Sequence, residues 1–173
     1  NGIAANNSSL GHATVFNNRS HGLDGSGNIV ANSVFRSNAG TGVNGPSNTF
    51  KNVTANNNTG SGIAGDGVAV DGAVANSNGA HGVVGNGNTV RGVRASGNPG
   101  AGVYCDDSTI NECVTRDNGA DGIRGVNSTI NACRSVNNDT NKTDGYTAAD
   151  IYWFGGRQQA NVAGTYVPAA PAP

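Results

Sequence analysis

A repeat of 20 residues runs through most of this chain and constrains its fold more than any other feature. Glycine recurs at Gly2, Gly22, Gly42, Gly62, Gly82, Gly102 and Gly122, and asparagine at Asn18, Asn38, Asn58, Asn78, Asn98, Asn118 and Asn138. With each of these glycines as coil position 1, position 2 reads Ile3, Leu23, Val43, Ile63, Val83, Val103 and Ile123. Position 9 reads Leu10, Val30, Phe50, Val70, Val90, Ile110 and Ile130. Positions 12 and 14 hold small residues such as Ala13, Val53 and Cys113, and Val15, Ala55 and Ala95. Self-similarity at one fixed period is the mark of a stacked solenoid, in which each repeat contacts its neighbours.

Helical solenoids need repeats of roughly 30 residues or more with sustained 3.6 periodicity. Glycine and asparagine punctuate this chain every few residues, which excludes long helices. Runs such as Asn88–Arg91 and Ser108–Asn111 alternate polar and apolar side chains, the period-two signal of a strand. Three short strands and three turns therefore close each coil, and coils stacked in register pair equivalent strands ~4.8 Å apart. The expected class is all-β: a single-stranded, right-handed parallel β-helix of about eight coils. The recurring asparagine is expected to form an internal ladder, each side-chain amide bonding to the coil beside it. The recurring glycine is expected at a bend with positive φ.

Composition agrees with a thin-cored repeat protein. Hydrophobic residues are 35%, aromatics 5%, charged residues 12%, and the net charge is −1. Disordered chains of such low hydrophobicity usually carry a high net charge. With no overall basic excess, nucleic acid is not an expected partner. No run of ~20 apolar residues is present to span a membrane. The chain opens at Asn1 and contains no methionine, which reads as a processed or excised product.

After Asn138 the spacing slips, and a restart at Gly145 would place Tyr146 at position 2 and Trp153 at position 9. Residues 1–163 thus form the expected β-helix, with 145–163 a degenerate aromatic coil at its end and 164–173 a Pro/Ala-rich extended tail. Ile3, Leu10 and Val15 at one end, and Tyr146 and Trp153 at the other, are candidate assembly contacts. They suit head-to-tail self-association, or a neighbouring domain on the first coil.

The pattern Asn-x-x-x-Gly-Ile/Val, followed by a polar-Thr-Val/Ile strand, resembles the repeat of the pectate-lyase-like β-helix superfamily. That resemblance implies the right-handed fold, and it extends from Gly2 to about residue 162. The superfamily includes polysaccharide lyases, hydrolases, alginate epimerases, phage tailspikes and surface proteins. Its Gly-His-Gly and Asp-Pro-His motifs are absent, and Asp106-Asp107 precedes Thr143-Asp144-Gly145 in reverse of the hydrolase order. The period stays unbroken where catalytic family members insert cleft loops.

These features lead to the expectation of a non-enzyme: an extracellular, cell-surface or virion structural module such as a filament, spike or adhesin subunit, contacting polysaccharide. The alternative is a carbohydrate-active enzyme or a fragment of one. A more remote alternative, ice binding, rests on Thr49, Thr89, Thr109 and Thr129 at position 8, but position 10 supplies no second threonine rank.

Eight of the eleven acidic residues fall between Asp106 and Asp150. Tyr104 and Arg124 share position 3 on adjacent coils, with Asp106 two residues on and Asp107 beside it. This group is the candidate sugar-binding patch, where an aromatic ring stacks a sugar and charged groups bond to its hydroxyls. Turn carboxylates on a solvated face are the plainer explanation. No cofactor or metal is expected. His12 lies in a different column from His21 and His81, which are three coils apart, and Asp66, Asn86 and Asp106 spread too far to share one ion. Cys113 and Cys133 stack at position 12 within disulfide reach, ~4.8 Å apart. Buried free thiols are the favoured reading for these and Cys105, with a Cys113–Cys133 disulfide the alternative.

Overall fold

Alternation decides which side chains enter the core. In Thr49–Lys51 the outer residues are exposed and Phe50 is buried, and the same pattern holds for Thr89–Arg91 around Val90. The computed structural model describes residues 1–138, 150–163 and 166–168, and all regular structure among them is β-strand. Strands pair in parallel with their equivalents on neighbouring coils, as in Ile63 with Val83, Val70 with Val90 and Phe35 with Ala55. The molecule is therefore a parallel β-helix of seven regular coils followed by a less regular one.

Three sheets run along it. The first contains nine strands, from Ile3–Ala4 to Tyr166–Pro168, and the second contains eight, from Ser9–Gly11 to Arg157–Gln159. The third divides into a three-stranded part that starts at Thr14–Phe16 and a four-stranded part that starts at Arg94–Ser96. Val74 joins the two parts through single bridges to Thr54 and Arg94.

The core is a column of small and medium apolar side chains, with Phe35 and Phe50 its largest fully buried members. Ile3, Leu10 and Ala13 of the first coil are only partly buried against it, while Val15 is 8% exposed.

The asparagine ladder forms as expected. Asn58 donates its main-chain N–H and its Nδ2 to Asn78 Oδ1, both at 3.1 Å, and Asn78 repeats the pattern onto Asn98 at 2.9 and 3.2 Å. From Asn38 to Asn118 each amide makes a second bond back one coil, as from Asn78 Nδ2 to Ala55 O at 2.9 Å. In every Asn-to-Asn rung the donors belong to the earlier coil and the Oδ1 acceptor to the next, so the rungs form one polarised chain of bonds.

Position 7 carries a second internal polar column that the repeat columns did not single out. Ser8 N donates to Asn28 Oδ1, Asn28 N to Asn48 Oδ1, Val68 N to Asn88 Oδ1, Asn88 N to Ser108 Oγ and Ser108 N to Ser128 Oγ, at 2.7–3.0 Å.

The glycine column has a different cause from the one expected. Positive φ falls instead in the turns, at residues such as Asn7, Asn57, Ser77, Asp107 and Asn127. The position 1 glycines are required by close approach. A Cβ on Gly62 would lie 2.7 Å from Gly82 O and 2.9 Å from the ladder atom Asn78 Nδ2.

The last coil is out of step with the sequence-based expectation. Ile151 pairs with Ile123, Trp153 with Gly125 and Gln158 with Ile130. Ile151 therefore takes position 2, and Trp153, two residues further on, packs partly buried against the core. Tyr146 lies outside the described residues. Tyr166–Pro168 adds one more strand beside Ile151–Phe154.

Candidate functional site

Position 3 points outward from the first sheet, and on three consecutive coils it carries Tyr104, Arg124 and Tyr152 in register. Strand spacing of ~4.8 Å is close to the stacking distance of planar groups. The Arg124 guanidinium carbon lies 4.9 Å from the Tyr104 ring centroid and 5.0 Å from that of Tyr152. One cation is thus clamped between two phenol rings, each contact favourable by ~0.5–1 kcal/mol near a surface. His81 meets the far side of Tyr104 edge-on, with centroids 5.6 Å apart at 71°.

Arg124 is only loosely neutralised. A carboxylate oxygen of buried Asp121 is 3.9 Å from Nη1, and the buried Nε has no hydrogen-bond partner among the described residues. About a third of the side chain remains exposed. A planar guanidinium of this kind matches a carboxylate through two parallel N–H donors.

His81 is held neutral. Its pKa is lowered first by burial and then by the Arg124 charge. Its Nδ1 accepts the main-chain N–H of Ala101 at 2.9 Å, which places the proton of the neutral ring on Nε2. The ring is therefore a hydrogen-bond donor rather than a base. His21 has the same arrangement with Thr41 N at 3.0 Å, so the imidazole also serves the coil-to-coil bonding.

Of the candidate patch, the fold brings Tyr104 and Arg124 into contact and gives the two acids turn roles. Asp106 Oδ1 accepts the main-chain N–H of Val126 at 2.8 Å, and Asp107 is exposed in a left-handed turn with φ of 50°. Sequence reasoning missed His81, Asp121 and Tyr152. His81 and Asp121 share position 20, which flanks the glycine column, a proximity the repeat itself could have shown. Tyr152 was hidden because it follows Arg124 by 28 residues rather than 20.

No protein-family model and no curated protein matches the chain. Solved structures do. The A-module of the mannuronan C-5 epimerase AlgE4 from Azotobacter vinelandii superposes with a TM-score of 0.69 at 14% identity, over 94% of this chain and 57% of its own. The periplasmic alginate epimerase AlgG superposes with a TM-score of 0.58 at 12% identity, over 98% of this chain and 47% of its own. The pectate lyase Pel9A is matched over 72% of this chain and 36% of its own, at 22% identity and a TM-score of 0.45. The chain thus spans about half the length of the two epimerases.

The fold is a parallel β-helix like that of the two epimerases. The expectation of a non-enzyme is corrected by these likenesses. Both epimerases carry their activity on this scaffold, so a smooth succession of coils is no ground for a purely structural role.

Proposed function

We propose that the chain is the polysaccharide-engaging β-helix of a carbohydrate-active protein, and that its ligand is an acidic, uronate-bearing polysaccharide. The observation that carries this reading is the clamp of Arg124 between Tyr104 and Tyr152. The guanidinium pairs with a sugar carboxylate, the phenol rings offer flat apolar faces to sugar C–H groups, and neutral His81 donates from Nε2. The likeness to epimerases of mannuronan and alginate supports the choice of ligand. Pairing a uronate carboxylate with Arg124 also withdraws charge from the adjacent carbon, and that acidifies its C–H proton. Polymers of this kind occur outside the cytoplasm, so an extracellular or cell-surface location accompanies the proposal.

The test uses the full chain with polymannuronate, polyguluronate and polygalacturonate. Retention on the immobilised polymers and proton NMR of the treated sugars are followed together. Retention of at least one uronan, lost in Arg124→Gln, is expected. Equal retention by wild type and Arg124→Gln would remove the clamp from the account.

A further inference from the structure

The outer face of the third sheet carries an unspent positive charge. Its outward positions 13 and 15 form two columns. Register places Arg94, Val114 and Arg134 side by side on consecutive coils, and Ser96, Arg116 and Val136 beside them. Val74 and Asn76 of the preceding coil complete a shallow groove of about 410 Å³. Arg94 and Arg134 are thus two strand spacings of ~4.8 Å apart across Val114, with Arg116 in the adjoining column.

The three arginines are exposed, and neither Arg94 nor Arg134 forms an ion pair among the described residues. Arg116 has Asp117 at 4.0 Å, with both side chains more than half exposed. A pair of that kind contributes ~0–1 kcal/mol and opens easily to a competing anion. Two other carboxylates among the described residues are engaged elsewhere. Glu112 bonds to Arg91 on the second sheet at 3.2 and 3.3 Å, and Asp121 faces Arg124 on the first. In a chain of net charge −1, this face is a local concentration of cations over a floor of valine.

We infer that this groove is a second, separate contact for a linear acidic polysaccharide lying along the solenoid axis. The guanidiniums pair with successive carboxylates, Val74 and Val114 receive the apolar faces of the sugar rings, and Asn76 and Ser96 supply polar partners for hydroxyls. Single-stranded nucleic acid fits less well, because this part of the face has no aromatic ring on which a base could stack. The choice of ligand rests on the acidic-polysaccharide reading of the clamp; the existence of an anion-binding groove does not. The two contacts lie on different sheets, so a single polymer long enough to reach both would gain avidity.

The test compares wild type, the triple variant Arg94→Gln/Arg116→Gln/Arg134→Gln, and Arg124→Gln, all as the full chain. Binding to oligogalacturonate, polymannuronate, neutral dextran and single-stranded DNA is measured across a salt series. Because all three arginines are exposed, the thermal midpoint of the triple variant is expected to match wild type; Arg116→Glu alone gives an independent check. The expected result is a loss of about tenfold or more in uronan affinity, with a shallower salt dependence, in the triple variant, and no binding to dextran. Uronan binding by the triple variant equal to wild type would overturn the groove, as would DNA bound more tightly than uronan. If Arg124→Gln leaves binding unchanged while the triple variant loses it, the clamp fails and the groove stands; the reverse pattern removes the groove and keeps the clamp.

Discussion

Asp150 receives the last rung of the asparagine ladder: its Oδ1 accepts both the main-chain N–H and Nδ2 of Asn138, each at 2.9 Å. Because each Asn-to-Asn rung donates toward this end, the chain of rungs terminates on a buried carboxylate, a strong acceptor. Asp150→Ala should therefore destabilise the protein by about 1–3 kcal/mol, through donors left without an acceptor. Asp150→Asn, which keeps an amide oxygen, should cost less. Urea unfolding of the two variants measures the difference, and equal midpoints for Ala and Asn would contradict this reading of the terminus.

In the middle of the ladder, Asn78→Leu removes the acceptor of both Asn58 donors and the Nδ2 donor to Ala55 O and Asn98 Oδ1, the latter keeping only the main-chain N–H of residue 78. Each buried group left unpaired costs about 1–3 kcal/mol. A lowered melting midpoint is expected, and an unchanged one would show that the ladder contributes nothing net.

Two glycines should respond oppositely to substitution. Gly62→Ala forces a Cβ to within 2.7 Å of Gly82 O, an overpacking cost of about 1–3 kcal/mol. Gly87 has φ of +64° and open space around its Cβ position, and asparagine occupies the equivalent turn position at Asn7 and Asn127. Gly87→Asn should be nearly neutral. Thermal melting of both variants decides whether contact or φ sets the glycine pattern.

His81 should make stability depend on pH. Its folded pKa lies below the ordinary 6.5, lowered by burial and then by Arg124, so the unfolded chain binds its proton first as pH falls. The His81 contribution is complete above pH 6.5 and is lost as pH drops from there toward the lowered folded value. His81→Gln should remove that part of the decline. The comparison is a melting series across this window; superimposable wild-type and variant curves would contradict it.

The thiols should be silent in the folded state. Cys105, Cys113 and Cys133 are all buried, and burial is the main force that pushes the Cys105 pKa to about 12. Because all three are sealed from solvent, a disulfide reagent should label none of them in native buffer and all three in denaturant.

The period made much of this fold legible in advance. The inward columns at Ile63, Val70 and Ala75 and the ladder at Asn78 follow from strict 20-residue recurrence, because register is set wherever one face is buried. Where the recurrence weakens, legibility ends. Asn28, Val68 and Ser108 share one internal column but not one residue type, so only the hydrogen bonds unite them. Ile151 rather than Tyr146 follows Ile123 because the step there is 28 residues. Half of the clamp was visible as Tyr104 and Arg124 in one column; Tyr152 lay beyond that irregular step. Arg94, Arg116 and Arg134 fall in two columns and look scattered until the sheet is assembled.

The most direct measurement is calorimetric titration of the full chain with a short oligouronate and with the same oligomer after its carboxylates have been reduced to alcohols. Binding of the acidic form and loss of binding on reduction are expected if Arg124, held between Tyr104 and Tyr152, recognises the carboxylate. Equal binding of the two forms, or binding of neither, would contradict the account.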